Sequence, residues 1–230
     1  MPSEPEFYVG YLPIPVRLKK TIRLVVAGLG LSAVIAGAIL LAGQHPFAAS
    51  TFEFQQYREF RGILVTEPYA ALVIPGQGLP WLLVGPGKHG TDDLRGLNGR
   101  TVQLMGERIY RGNDHMIEIQ PGSLRALTGD VPRAPDSVEL GQVSLTGEIV
   151  DSKCYFGVMN PGNGKVHRDC AVRCISGGIP PAFLVRDGSG RAETLLLANW
   201  KREWLDHIAE PITLHGRLVR SSGRLSLYAE

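Results

Sequence analysis

From residue 24 to residue 43 the chain carries no charged side chain (LVVAGLGLSAVIAGAILLAG). After residue 55 the pattern changes to short apolar or alternating blocks separated by Gly, Pro, Asn and Asp. The first pattern predicts one long apolar helix; at ~1.5 Å per residue, about 20 residues suffice to cross the hydrocarbon layer. The second predicts short strands joined by turns. These strands fall into two series. One runs FRGILV (60–65), WLLV (81–84), a polar stretch (92–97), TVQLMGERI (101–109) and MIEI (116–119). The other runs LTGEIV (145–150), AFLV (182–185), an amphipathic stretch (200–208), ITLHGRLV (212–219) and RLSLY (224–228). The order is the same in both, which suggests an internal duplication.

Gly62, Gly106, Gly147 and Gly216 each fall inside a strand block, where a strongly curved strand bends most easily without a side chain. Short strands with a helical segment before the fourth resemble the OB-fold, a small Greek-key barrel whose members bind oligonucleotides and oligosaccharides. The expected fold class is mainly β: one N-terminal transmembrane helix followed by two OB-like β-barrel domains, with a single larger β-sandwich as the alternative. The expected division is a tail over 1–20, a membrane helix over 21–43, a linker over 44–54, a first barrel over 55–128, a linker over 129–140 (GDVPRAPDSVEL) and a second barrel over 141–230.

Charge orients the helix. Arg17, Lys19, Lys20 and Arg23 precede the apolar run, and the next arginine or lysine is Arg58. The positive-inside bias puts the N-terminus in the cytoplasm and the rest on the periplasmic or extracytoplasmic face of the inner membrane. Ala48, Ala49 and Ser50 offer the competing reading of a cleaved signal peptide, although the run is long for one. Tyr8, Tyr11, Pro13 and Pro15 suit a segment at the inner interface. Gly28, Ser32 and Ala36, flanked by Ala33 and Gly37, form a small-residue stripe that would admit a second helix, as well as being ordinary membrane-helix composition. The protein has 24 Lys and Arg against 22 Asp and Glu, a net charge of +2. Interspersed as these are, they offer no footprint for nucleic acid.

Candidate chemistry is concentrated in one stretch, CYFGVMNPGNGKVHRDCAVRC. It holds all three cysteines of the chain, Cys154, Cys170 and Cys174, together with His167. The stretch 154–178 follows the first strand of the second series and accounts for most of that series' extra length, so it reads as an insertion on a barrel loop, where such scaffolds place function. Residues 165–174 predict a short helix stopped by Gly177 and Gly178. Spacings of three and four put His167, Cys170 and Cys174 on one helical face. With Cys154 arriving from the barrel they form a Cys₃His set, suited to zinc, copper or an iron–sulfur centre, with Lys165, Arg168 and Arg173 balancing thiolate charge. In a continuous helix, residues seven apart lie about 10 Å apart, so His167 and Cys174 reach one ion only if the helix bends or begins after His167; otherwise His167 orients a ligand.

Two other readings of the cysteines stand beside the metal site. Outside the membrane a disulfide from Cys154 to Cys170 or Cys174 would staple the insertion and leave one thiol over. A redox pair of Cys170 and Cys174 would have CxxxC spacing rather than CxxC. The residues Cys154, His167, Cys170, Ala171, Cys174, Gly177, Gly178 and Pro180 resemble a Cys…HxxCAxxC…GGxP motif in exported bacterial proteins with OB-like domains. That resemblance implies a shared module and no activity.

The remaining polar residues suggest structural roles. The loop GPGKHG (85–90), with Lys88 and His89, reads as a turn in preference to an anion cradle. His207 reads as helix packing, while Asp151 and His215 abut strand ends where they could line the site. No Ser-His-Asp order, paired carboxylates or nucleotide fingerprint points to an enzyme. The pattern as a whole suggests an accessory subunit of a membrane redox or electron-transport complex, with the membrane and other membrane subunits as partners. Metal handling, thiol–disulfide exchange, or a glycan- or nucleic-acid-binding barrel are the alternatives.

Overall fold

A computed structural model describes residues 14–44, 49–128 and 137–230. The expected interfacial residues Tyr8, Tyr11 and Pro13, the small residue Ala48 and most of the 129–140 linker lie outside them. The chain divides into two compact units, the first holding one helix and the second every strand.

Helix α1 spans Val16–Ala42 and is long and apolar enough to cross a membrane, with none of its residues buried within the protein. It starts before the apolar run, because Lys and Arg are good helix formers and Pro15 occupies the N-cap, where its missing N–H costs nothing. The four basic side chains therefore ride on the first turns of the helix rather than on a preceding tail.

The β unit is built from strands β1 (Thr51–Phe52), β2 (Arg58–Val65), β3 (Ala71–Val73), β4 (Trp81–Val84), β5 (Thr101–Arg111), β6 (Asp114–Ile119) and β7 (Arg125–Ala126). These are followed by β8 (Ser137–Asp151), β9 (Pro181–Arg186), β10 (Ala192–Leu197), β11 (Pro211–Ser221) and β12 (Arg224–Ala229). The last five close into a barrel: β8 pairs β9, β9 pairs β10, β10 pairs β12 in parallel, β12 pairs β11, and β11 returns to β8. In the first half, β2 to β6 repeat the same pairings, including the parallel pair, here β4 with β6.

Pairing corrects two expectations. Strand β4 (WLLV) is the third strand of its series, equivalent by its parallel partner to β10 and not to AFLV in β9; β3 is only three residues long and, like β10, was absent from the expected elements. Neither β4 nor β10 alternates, because both faces are covered. Leu82 and Val84 join one core cluster and Trp81 and Leu83 another, just as Leu196 is separated from Leu195 and Leu197. The expected linker is also shorter, since Ser137 to Leu140 already belong to β8 and pair with β11 across a bulge at Leu218/Val219, beside Gly141 with φ +99°. The amphipathic stretch expected over 200–208 forms a 3₁₀ helix, Arg202–His207, that buries Trp204.

All four strand glycines are required by close backbone approach. A Cβ at Gly62, Gly106, Gly147 or Gly216 would run into the facing strand, at Gly216 into the carbonyl of Tyr228. Gly216→Ala is expected to cost about 1–3 kcal/mol by overpacking. Gly96→Ala, which meets no atom within 4 Å, is expected to change stability by less than about 0.5 kcal/mol. Urea titration of both variants checks the contrast.

The two halves share a core. Val65, Leu82, Ile109 and Met116 from the first pack with Val150, Phe156, Ile179 and Leu184 from the second. Buried and half-buried polar ties reinforce this contact. Arg224 pairs with Asp114 at 2.8 Å and donates to the Pro80 carbonyl, while Arg111 donates to the carbonyls of Tyr155 (2.6 Å) and Pro161 (3.0 Å). The loop between β8 and β9 lies against this shared core.

Candidate metal centre

The site begins where β8 ends. Asp151 is the last residue of the strand and is fully buried; the chain then turns through Ser152 and Lys153 into a π-helical turn, Cys154–Val158. Such turns break the regular hydrogen-bond ladder and recur at functional positions. Here the turn carries Cys154 inward, and its backbone N–H donates to Asp151 Oδ1 at 2.8 Å. The NPGNG turn folds back over it. Gly162, at φ +73°, lies so close to the Cys154 carbonyl that no Cβ would fit.

A short 3₁₀ turn, Lys165–His167, leads into helix α2 (Arg168–Ser176). His167 is therefore the N-cap, and the helix begins immediately after it. Cys170 and Cys174, four residues apart on one face, point back at Cys154. The sulfur of Cys154 stands 3.9 Å from that of Cys170 and 4.0 Å from that of Cys174, and all three lie within 4.8 Å of one another. None of the three is in a disulfide, so the alternative reading of a stapled insertion is not what this structure holds. Cys154 and Cys174 are buried and Cys170 is half-buried.

His167 takes a different place from the one its spacing suggested. Its Nε2 is 2.9 Å from Asp151 Oδ2, and it groups with Asp151 and Cys154 rather than with Cys170 and Cys174. Both residues are buried, and the carboxylate holds the imidazole on one side and the Cys154 backbone on the other. Asp151, which its position at a strand end suggested could line the site, does so, bonded to the Cys154 N–H and to His167. His215, its companion in that expectation, is exposed on β11 and belongs to neither group.

The charge facing the sulfurs also comes from an unexpected source. Arg168 is drawn away to the Asp206 carbonyl and Glu210, and Lys165 and Arg173 are exposed. Instead Lys88, from the GPGKHG loop of the other half, places its ammonium 2.8 Å from the Cys170 sulfur and 3.5 Å from that of Cys174. The loop docks on the end of α2, with the Gly90 N–H donating to the Gly177 carbonyl at 2.9 Å. Gly177 tolerates no side chain because the Lys88 carbonyl sits against it, and Gly178 adopts φ +96°. This contact is what the Gly-Gly ending of the motif accommodates. Lys153, 2% exposed, anchors the same loop from below by donating to the carbonyls of Gly85 (3.0 Å) and Gly87 while pairing with Glu118.

These contacts set the acidities. The Cys174 thiol is drawn down to about 7 by the hydrogen bond from Cys154 and by the Lys88 ammonium. Cys154 is pushed up, first by giving that hydrogen bond and then by burial and the Asp151 charge. Lys88 is held protonated by its hydrogen bond to Cys170 and by the charge of the cluster. In chemical terms the arrangement provides soft sulfur donors, one of them ionisable near neutrality, on a buried and hydrogen-bonded support.

No protein-family model, curated protein or solved structure matches this chain.

Proposed function

We propose that the protein is a membrane-anchored metal-thiolate protein, in which Cys154, Cys170 and Cys174 hold one soft metal ion. The observation that carries this reading is the convergence of three sulfurs from two separate segments, without a bond between them. With metal–sulfur distances of about 2.3 Å, the edges of a thiolate site are about 3.8 Å long in a tetrahedron and about 4.0 Å in a trigonal plane. The sulfur separations of 3.9 and 4.0 Å at Cys154 are close to these. His167 and Asp151 serve as the support that fixes Cys154, the role outer groups play around metal ligands.

The setting extends the proposal. The repeat of strand pairings and the four glycines without room for a side chain support two OB-like barrels, with the metal loop grafted on the second and buttressed by the first. The basic residues at the start of α1 support an N-terminus in the cytoplasm and a β unit on the extracytoplasmic face. An anchored thiolate site of this kind fits an accessory subunit of a membrane-bound redox assembly, in which the barrels dock other membrane subunits.

The full chain, purified in detergent under reducing, oxygen-free conditions, is expected to carry one zinc or copper ion per protein by elemental analysis. Cys154→Ser and Cys174→Ser should lose it while the circular dichroism of the β unit is kept. Retention of one ion by both variants, or its absence from wild type after exposure to either metal, overturns the proposal.

A further inference from the structure

We infer that the thiol cluster is built for a soft monovalent cation of the copper(I) class, bound by three sulfurs alone, and that Lys88 is the residue that sets this preference. The inference rests on the metal reading above and adds the kind of ion to it.

Three observations carry it. First, among the described residues the ligand atoms grouped with both Cys170 and Cys174 are sulfurs alone: His167 is engaged by Asp151 at 2.9 Å and groups with Asp151 and Cys154 instead. Thiolate sulfur suits copper(I), zinc and iron–sulfur clusters alike, but a structural zinc site takes four ligands in a tetrahedron, whereas three sulfurs suffice for copper(I). Second, Cys154 and Cys174 are buried, so the cluster approaches solvent at the half-buried Cys170. A fourth ligand, whether water or a partner's side chain, would arrive at that corner. Third, that corner carries Lys88, whose ammonium spans the Cys170 and Cys174 sulfurs at 2.8 and 3.5 Å. An ammonium has three donors and no lone pair, so it cannot act as the missing ligand. It also repels a nearby cation in proportion to that cation's charge, twice as strongly for a divalent ion as for a monovalent one.

The Lys88 side chain is exposed, but the loop that carries it is held in place. Its loop is bonded to Gly177 at one end and to Lys153 at the other, and Gly177 has no space for a Cβ because of the Lys88 carbonyl. The first half of the β unit, which has no cysteine, thus contributes a cation at the Cys170 side of the site, opposite in sign to the Asp151 carboxylate beside Cys154.

The test uses the full chain in detergent, reduced and oxygen-free, as wild type, Lys88→Met and Lys88→Glu. Copper(I) affinity is measured in competition with bicinchoninate, zinc(II) affinity with a chromogenic chelator, and cobalt(II) reports coordination number by its visible spectrum. Wild type is expected to hold copper(I) with sulfur-only neighbours in X-ray absorption and to give no tetrahedral cobalt spectrum. Lys88→Met should tighten zinc about tenfold and change copper(I) less than threefold. Lys88→Glu, which supplies a carboxylate, should produce the tetrahedral cobalt spectrum. Wild type showing four-coordinate cobalt, or zinc affinity unmoved by Lys88→Met, overturns the inference and leaves the metal site standing. If neither ion is retained by wild type, the metal reading itself fails.

Discussion

Lys153→Met is expected to destabilise the β unit by about 3–5 kcal/mol, the usual cost of removing one partner from a buried ion pair. Lys153 is 2% exposed, and Glu118, its partner across the two halves, is mostly buried. Methionine fills a similar volume but leaves the Glu118 carboxylate without its counter-ion and the Gly85 and Gly87 carbonyls without a donor. Lys153→Met with Glu118→Gln should recover part of the loss, because the stranded charge is gone. The second consequence is local. The GPGKHG loop would lose its anchor, so Lys88 would be held less well over Cys170. Chemical denaturation of the single and double variants gives the stability terms. A single variant within 1 kcal/mol of wild type would show that the pair adds little.

Asp151→Ala is expected to weaken metal binding by about 10–100-fold, the range found when groups that orient metal ligands are removed. The carboxylate is fully buried and accepts from the Cys154 N–H at 2.8 Å while holding His167 Nε2 at 2.9 Å. Its loss releases the turn carrying Cys154 and leaves two buried polar groups without partners, each a penalty of about 1–3 kcal/mol. Asp151→Asn keeps an acceptor for the backbone N–H and should fall between alanine and wild type. Competition with a chelator of known affinity measures both. Unchanged affinity in the alanine variant would mean that Cys154 needs no such support.

What could be read along the chain, and what could not, follows from the range of the interactions. The apolar helix, the β character of the rest, the insertion after the first strand of the second series and the helix stop at Gly177 and Gly178 all depend on neighbours within a few residues. Local composition is enough for these. The clustering of Cys154, Cys170 and Cys174 in one stretch likewise pointed at the right loop. The equivalence of β4 with β10 was not legible, because a short strand such as β3 has too few residues to show a period and strands covered on both faces show none.

The same distinction separates the ligands from their surroundings. Cysteine type and spacing in the sequence by themselves determined which three thiols to suspect, and the charge-free run of residues 24–43 determined that a helix capable of spanning a membrane precedes them. Only the tertiary structure decided that His167 turns to Asp151, that Arg168 is claimed elsewhere, and that the cation over the sulfurs is Lys88, from a loop that looked like a plain turn. The physical reason is that a buried carboxylate and a buried or half-buried thiol are satisfied by whatever donor the fold brings within about 3 Å. In this protein the donor came from the other half of the β unit, more than eighty residues away along the chain.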